Sequence, residues 1–230
     1  MNYLKIPNRD YDRLLNDPQI CQMNIINFIT YLRNKKSSSS SINLYVSAIQ
    51  KFYVMNDVML NWRKIKSFEP EPQKVVEDRP YDHLEISTLI HGMPLRNRAI
   101  VLLMASSGLR VGAIPSLRLK DLEPIDKYNI YKFIVYALSR QNYFSFCTPE
   151  ARSEIDKYLE LRRKWGERLS DNSPLFRTEA TKFKPISIHV ISDLVHTALI
   201  KTGLLTLSTD PYGRNSVMQC HGFRRVFCLY

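Results

Sequence analysis

Arg110, in Ser106-Ser107-Gly108-Leu109-Arg110-Val111-Gly112-Ala113-Ile114, and Arg224, in His221-Gly222-Phe223-Arg224-Arg225, are the residues of this chain best suited to chemistry. They lie far apart in sequence. An arginine beside a tight glycine turn and a second one paired with a histidine suit the holding of a phosphodiester, because two planar, permanently charged forks can each donate paired N–H bonds to its oxygens. Splitting such a diester without a metal needs a nucleophile, donors for the charge of the pentavalent transition state, and an acid for the departing oxygen. Arginine suits the donors. Arg110 is expected at a helix N-terminus, where backbone N–H groups and the helix dipole also favour an anion. Losing one preorganised donor of this kind costs about 3–4 kcal/mol at the transition state. His221 and Arg224 share a face if their segment is helical. The competing readings are an arginine that pairs with a surface carboxylate and a histidine that is merely structural.

Between the two segments lies Cys147-Thr148-Pro149-Glu150-Ala151. In this order and spacing the chain resembles the tyrosine recombinase, or phage-type integrase, family, most closely its archaeal-type members. The first segment is similar to the family's Gly-Leu-Arg motif, the second to its His-x-x-Arg motif and the third to its Thr-Pro-Glu-Ala helix start. The resemblance covers roughly Pro80 to Tyr230, and more loosely the helical segment before it. It implies DNA integration and recombination by phosphotyrosyl strand transfer, with no metal, no cofactor, double-stranded DNA as the partner and a tetrameric synapse. Type IB topoisomerases share the pattern, so relaxation stays open beside recombination.

Residue by residue, the resemblance implies that Arg110 and Arg224 clamp the phosphate and that His221 is a hydrogen-bond donor or proton shuttle to it. The family's general acid is a lysine in a β-hairpin turn. Here Arg140 is the nearest cation, and its guanidinium keeps its charge but gives up a proton poorly. Lys132, on the preceding strand, is the alternative. Arg225 is expected on DNA backbone, as are Lys35, Lys36 and Lys51 of the first lobe.

Two further departures from the family pattern matter. Ala113 stands where the family often has an acidic residue, so whatever orients Arg110 comes from elsewhere. The family's nucleophilic tyrosine lies well beyond the His-x-x-Arg motif, whereas Tyr230 is close behind it and Tyr212 sits in a Pro- and Gly-bearing loop ahead of it. The chain therefore reads as truncated before its nucleophile and defective alone, which leaves open whether it is an enzyme. The alternatives are a non-catalytic DNA-binding regulator or remnant that occupies a recombination site, a tyrosine supplied in trans by another subunit, and a basic helical scaffold for protein.

Composition fits a polyanionic partner. With 33 Lys and Arg against 22 Asp and Glu, the formal net charge is +11, and each phosphate neutralised releases condensed counterions. The excess is shared by residues 1–68 and 81–230, while residues 69–80 are acidic, which fits two lobes gripping a duplex better than a basic tail. Four cysteines without C-x-x-C spacing suggest a reduced compartment. No apolar run is long enough for a bilayer, so the expected location is cytoplasmic, at the nucleoid.

The elements that must position these residues can be read from periodicity and punctuation. Ile20, Met23, Ile26 and Ile29 predict an amphipathic helix over residues 17–32. The Ser37–Ser41 run reads as a helix–helix loop with an N-cap, ahead of a helix with Tyr45, Ile49, Phe52 and Tyr53 on one face, and a short third helix covers residues 60–66. Residues 1–68 thus form a helical core-binding domain, the Pro-rich, acidic residues 69–80 a linker, and residues 81–230 an integrase-like catalytic domain, incomplete at its C-terminus. In the latter, an Asp82/Glu85 capping box opens a helix to Ile90, and a helix buried nearly all round spans residues 96–106 and ends at Gly108. A hairpin joins residues 130–138 to 143–147, Pro149 starts a helix to about Trp165, and residues 188–201 make another, closed by Gly203. The fold class is mainly α with a small antiparallel β-sheet.

Overall fold

The computed structural model describes residues 17–71, 79–137, 139–179, 184–205 and 219–229. Residues 17–71 belong to one compact unit and the other described residues to a second. Three helices build the first: α1 (Pro18–Asn34), α2 (Ser39–Met55) and α3 (Trp62–Lys66). Each begins at a side chain that accepts N–H bonds the first turn cannot satisfy. Asp17 accepts from Gln19 at 2.9 Å, Ser38 from Ser41 at 3.2 Å, and Asn61 from Lys64 at 3.0 Å. The serine run is a helix start, not a flexible linker.

The core of this unit corrects the expected helix faces. Cys21, Ile25, Ile29 and Leu32 of α1 meet Ile42, Val46, Tyr53 and Ile65, whereas Ile20 and Met23 are 54% and 62% exposed and Tyr45 and Phe52 also face outward. The reason is rotational. With 3.6 residues per turn, repeated steps of three drift about 60° each around the helix, while steps of four, four and three stay on one line.

In the second unit, α4 (His83–Ile90) opens with a reciprocal capping box. The Glu85 N–H donates to Asp82 at 2.7 Å, and the Glu85 carboxylate accepts from the Asp82 N–H at 3.0 Å. Arg79 grips the same carboxylate at 2.8 and 2.5 Å and holds its pKa below the usual range. The central element is α5 (Leu95–Ser107), with Ala99, Ile100, Val101, Leu103 and Met104 wholly buried. Against it pack α6 (Pro149–Lys164) and α8 (Gln219–Leu229), and α7 (Ile188–Lys201) lies against α8. Among the described residues no helix is long and apolar enough to cross a membrane.

The sheet has three antiparallel strands in chain order, β1 (Leu122–Ile125), β2 (Ile130–Val135) and β3 (Tyr143–Phe146). Phe133 stands opposite both Leu122 and Ser145, and Val135 opposite Tyr143. The expected hairpin is there, but β1 is an addition. It is four residues long and holds Pro124, a residue tolerated on an edge strand because it lacks a ladder donor. β2 stops at Val135, short of Leu138, because Tyr136 turns into the left-handed region at φ 53°.

A buried charge cluster ties α6 to the segment just after it. Glu167 accepts from Arg162 at 3.0 and 2.5 Å and from Arg177 at 2.9 Å. Arg162 also donates to the carbonyls of Pro174 and Leu175 at 2.8 and 3.0 Å. Burial pushes the Glu167 pKa up, but the hydrogen bonds and charges of the two arginines outweigh it and hold the carboxyl below its ordinary value.

Candidate functional site

Arg110 leaves the end of α5 through Gly108, which sits at φ 63°, a conformation an L side chain adopts only with strain. A Cβ there would also lie 2.5 Å from the ring of Phe227 on α8. Gly108 therefore serves twice: it ends α5 and lets α8 lie close to the Arg110 turn. Arg110 stands at a helix N-terminus, as expected, but the helix is short and of the 3-10 kind. It spans six residues, Val111–Ser116, with no side-chain cap, so the anion-holding capacity rests on the guanidinium itself. Ala113 is fully buried.

α8 is held by its other face. Phe223 stacks on Tyr81 at 4.5 Å, the Tyr81 hydroxyl donates to the Gln219 carbonyl at 3.1 Å, and a Cβ on Gly222 would meet the Tyr81 ring at 2.5 Å. With Gly222, Phe223 and Val226 inward, the helix turns His221 and Arg225 to the exposed side and leaves Arg224 half-buried between them and Phe227. His221 and Arg224 are one turn apart on this helix.

Strand β3 supplies the third side. The Ser145 hydroxyl donates to the Ser107 carbonyl at 2.6 Å, which fixes the strand to the end of α5. Tyr143, at the start of β3, is the group on which the two motifs meet. Burial and the neighbouring Tyr136 raise the pKa of its phenol, while the charges of both Arg224 and Arg110 pull it down. Residues far apart in sequence therefore act on one hydroxyl. Among the described residues no carboxylate forms an ion pair with Arg110, Arg140 or Arg224.

Of the remaining sequence candidates, Arg140 is exposed in the turn that precedes Tyr143. Lys132 is ion-paired with Glu123 at 2.8 Å and lies 5.9 Å from the ring centre of Phe144. Because side chains alternate along a strand, Lys132 is on the sheet face opposite Val135 and Tyr143, which turns it away from this site. Lys35, Lys36 and Lys51 are exposed on the first unit. Tyr212 and Tyr230 lie outside the described residues. Sequence reasoning misses Tyr143 and Tyr136, since it has motif patterns for the charged residues but none for a tyrosine beside a hairpin turn.

No family model matches the chain. Among curated proteins, it is 28% identical over 208 residues to tyrosine recombinase XerC of Rickettsia rickettsii (strain Sheila Smith), covering 84% of this chain and 60% of the relative. It is 27% identical over 129 residues to tyrosine recombinase XerD of Oceanobacillus iheyensis, covering 53% of this chain and 43% of that one. The chain thus spans about 60% of the length of the XerC relatives it matches. Two solved structures share its fold. The XerH site-specific recombinase bound to palindromic difH substrate matches at TM-score 0.65 and 14% identity, over 93% of this chain and 59% of that one. Lambda integrase (residues 75–356) bound to DNA matches at TM-score 0.61 and 13% identity, over 90% and 69%. Sequence relatives, fold and the ordered Gly-Leu-Arg, Thr-Pro-Glu-Ala and His-x-x-Arg segments all point the same way: the chain is similar in sequence to tyrosine recombinases and shares the fold of the XerH and lambda integrase structures.

Proposed function

We propose that the chain binds double-stranded DNA and serves site-specific recombination, with Arg110 and Arg224 clamping one backbone phosphodiester. The observation that carries this reading is the packing of α8 on the end of α5, where Phe227 lies against Gly108 and so brings the Arg224 helix beside the Arg110 turn, with no carboxylate among the described residues competing for either guanidinium. A net charge of +11 supports it, and so do the names of the relatives and the DNA present in the XerH and lambda integrase structures. His221, one turn from Arg224, donates to the same phosphate, and Arg140 reaches it from the hairpin turn. Residues 1–68 act as the DNA-binding helical domain through Lys35, Lys36 and Lys51, residues 81–230 as the catalytic-type domain, and Arg225 touches adjacent backbone. Strand exchange takes place in a tetrameric synapse on DNA, in the cytoplasm with the nucleoid.

In strand transfer, a tyrosine hydroxyl gives its proton to a base as its oxygen bonds to phosphorus, the bond from phosphorus to the 5′ oxygen breaks with that oxygen taking a proton from an acid, and a 3′-phosphotyrosyl link remains. One observation favours a second reading, that of a non-catalytic regulator occupying a recombination site. The hairpin turn offers Arg140, which holds its proton, and Lys132 faces away.

The test uses a nicked suicide duplex. Binding measured by anisotropy should weaken steeply with salt, and Arg110→Ala with Arg224→Ala, which together release one phosphate, should lower the log K against log salt slope by about 1. A covalent adduct supports strand transfer; salt-sensitive binding without one supports the regulator. Affinity indifferent to salt refutes both.

A further inference from the structure

A pocket of about 660 Å³ opens beside the clamp, lined by Ser116, Arg118, Lys120, Tyr136, Ser139 and Asn172, with Asp121 and Ala137 completing it. Its volume is that of a small-molecule site. Tyr136 is the wall it shares with the clamp. The Tyr136 ring is 6.2 Å from that of Tyr143, and its hydroxyl is 4.0 Å from where a Cβ on Gly112 would stand, two residues after Arg110. Tyr136 also carries backbone strain, since a bulky aromatic residue at φ 53° is costly and persists where the surroundings demand it. A glycine would fit that turn without strain. An aromatic ring held there at a cost points to a use for its face.

Most of the lining surface is apolar, which suits a base, and the few polar groups on it suit a phosphate. Arg118 and Lys120 bring two cations; the Lys120 ammonium is steadied by Asn172 at 3.0 Å. Asp121 is buried and its carboxylate accepts from the Arg118 N–H at 2.8 Å, so its charge is engaged with backbone. An aromatic wall next to two cations, with hydroxyl and amide groups between, suits a base that stacks and a phosphate that pairs.

We propose that this pocket binds a nucleotide, an unstacked base with its phosphate, taken from the DNA strand held at Arg110 and Arg224. This rests on the DNA reading above. The same chemistry could come from a free nucleotide, and two arms separate the sources.

In the first arm, the Arg110→Ala, Arg224→Ala variant, whose clamp is disabled, is titrated with thymidine 3′,5′-bisphosphate by calorimetry. Saturable binding is expected, weakened about tenfold or more by adding Tyr136→Gly and also by adding Arg118→Gln with Lys120→Gln. Tyr136→Gly relieves the positive φ but removes a ring packed on the core, so its melting temperature is measured beside its affinity, and Arg118→Gln with Lys120→Gln, which leaves that ring in place, separates lost affinity from lost folding. In the second arm, wild-type protein is bound to duplexes with 2-aminopurine placed at successive positions. Fluorescence should rise at one position near the clamped phosphate and stay quenched with Tyr136→Gly.

Bisphosphate binding with no brightening at any position would overturn the strand as the source. No saturable binding, or binding indifferent to Tyr136→Gly, would overturn the pocket itself. Failure of the wild type to bind duplex would overturn the recombination reading separately.

Discussion

At the scale of single residues, Arg110 and Arg224 could be read from sequence because each sits in a recognisable local pattern. Tyr143 could not, because its significance lies in which distant charges surround it, and nothing in Asn142-Tyr143-Phe144 announces that. Burial likewise hid the most demanding charges in the molecule. Arg162, Glu167 and Arg177 look like ordinary surface residues in sequence, yet all three are buried together. Glu167→Gln would leave two buried guanidinium groups without their shared counter-charge, a loss of about 3–5 kcal/mol, measurable as a fall in the denaturant midpoint. The pH dependence is set by the lowered pKa of Glu167. Its stabilising contribution is complete above the unfolded value, about 4.3, and fades as pH falls through the lower folded value. Urea midpoints of the wild type and Glu167→Gln should therefore converge as pH drops below about 4; a constant gap would mean the carboxylate is not the stabilising species.

At the scale of elements, caps and breakers were readable and faces were less so. Asp17, Ser38, Asp82, Thr148 and Ser187 start helices through bonds that depend on their own short side chains and the next three residues. The inward faces of α1 and α2 depend on which neighbours each helix meets, and there the three-residue spacing misled at Ile20 and Met23, while Ile26 and Ile29 do pack on the core. β1 was invisible for a related reason: a four-residue strand containing Pro124 has no signal apart from its partner β2. The docking of α8 supplies a prediction at this scale. Arg224 owes its position to Gly108 under Phe227 and Gly222 against Tyr81. A methyl at residue 222 must displace the Tyr81 ring or the helix, since 2.5 Å is well inside contact distance. Gly222→Ala should lower stability by about 1–3 kcal/mol and reduce duplex affinity nearly as much as Arg224→Ala, although it removes no charge. A variant that is destabilised but binds DNA normally would show that α8 does not position Arg224 for the phosphate.

At the scale of the whole molecule, charge is the property the sequence states most openly and localises least. The Lys and Arg excess extends through both units, and composition cannot tell a DNA-facing cation from a solvated one. Some cations are committed to the protein: Arg79, Arg98, Arg152 and Arg162 each pair with a carboxylate. Lys35, Lys36 and Lys51 are exposed on the first unit, and none forms an ion pair among the described residues. If that unit grips backbone, changing all three to glutamine should weaken binding to every duplex alike, because phosphate contacts position a protein without reading bases. The salt slope should fall by about 3, since each phosphate no longer neutralised accounts for about 0.9, while the melting temperature stays put, because exposed lysines contribute little to folding. Arg110→Ala should act differently, lowering the slope by at most about 1 and abolishing any covalent adduct. Anisotropy over a salt series with two unrelated duplexes separates these outcomes. An unchanged slope in the triple variant would confine the DNA-binding surface to the second unit, and weaker binding to one duplex alone would mean the lysines read sequence instead of backbone.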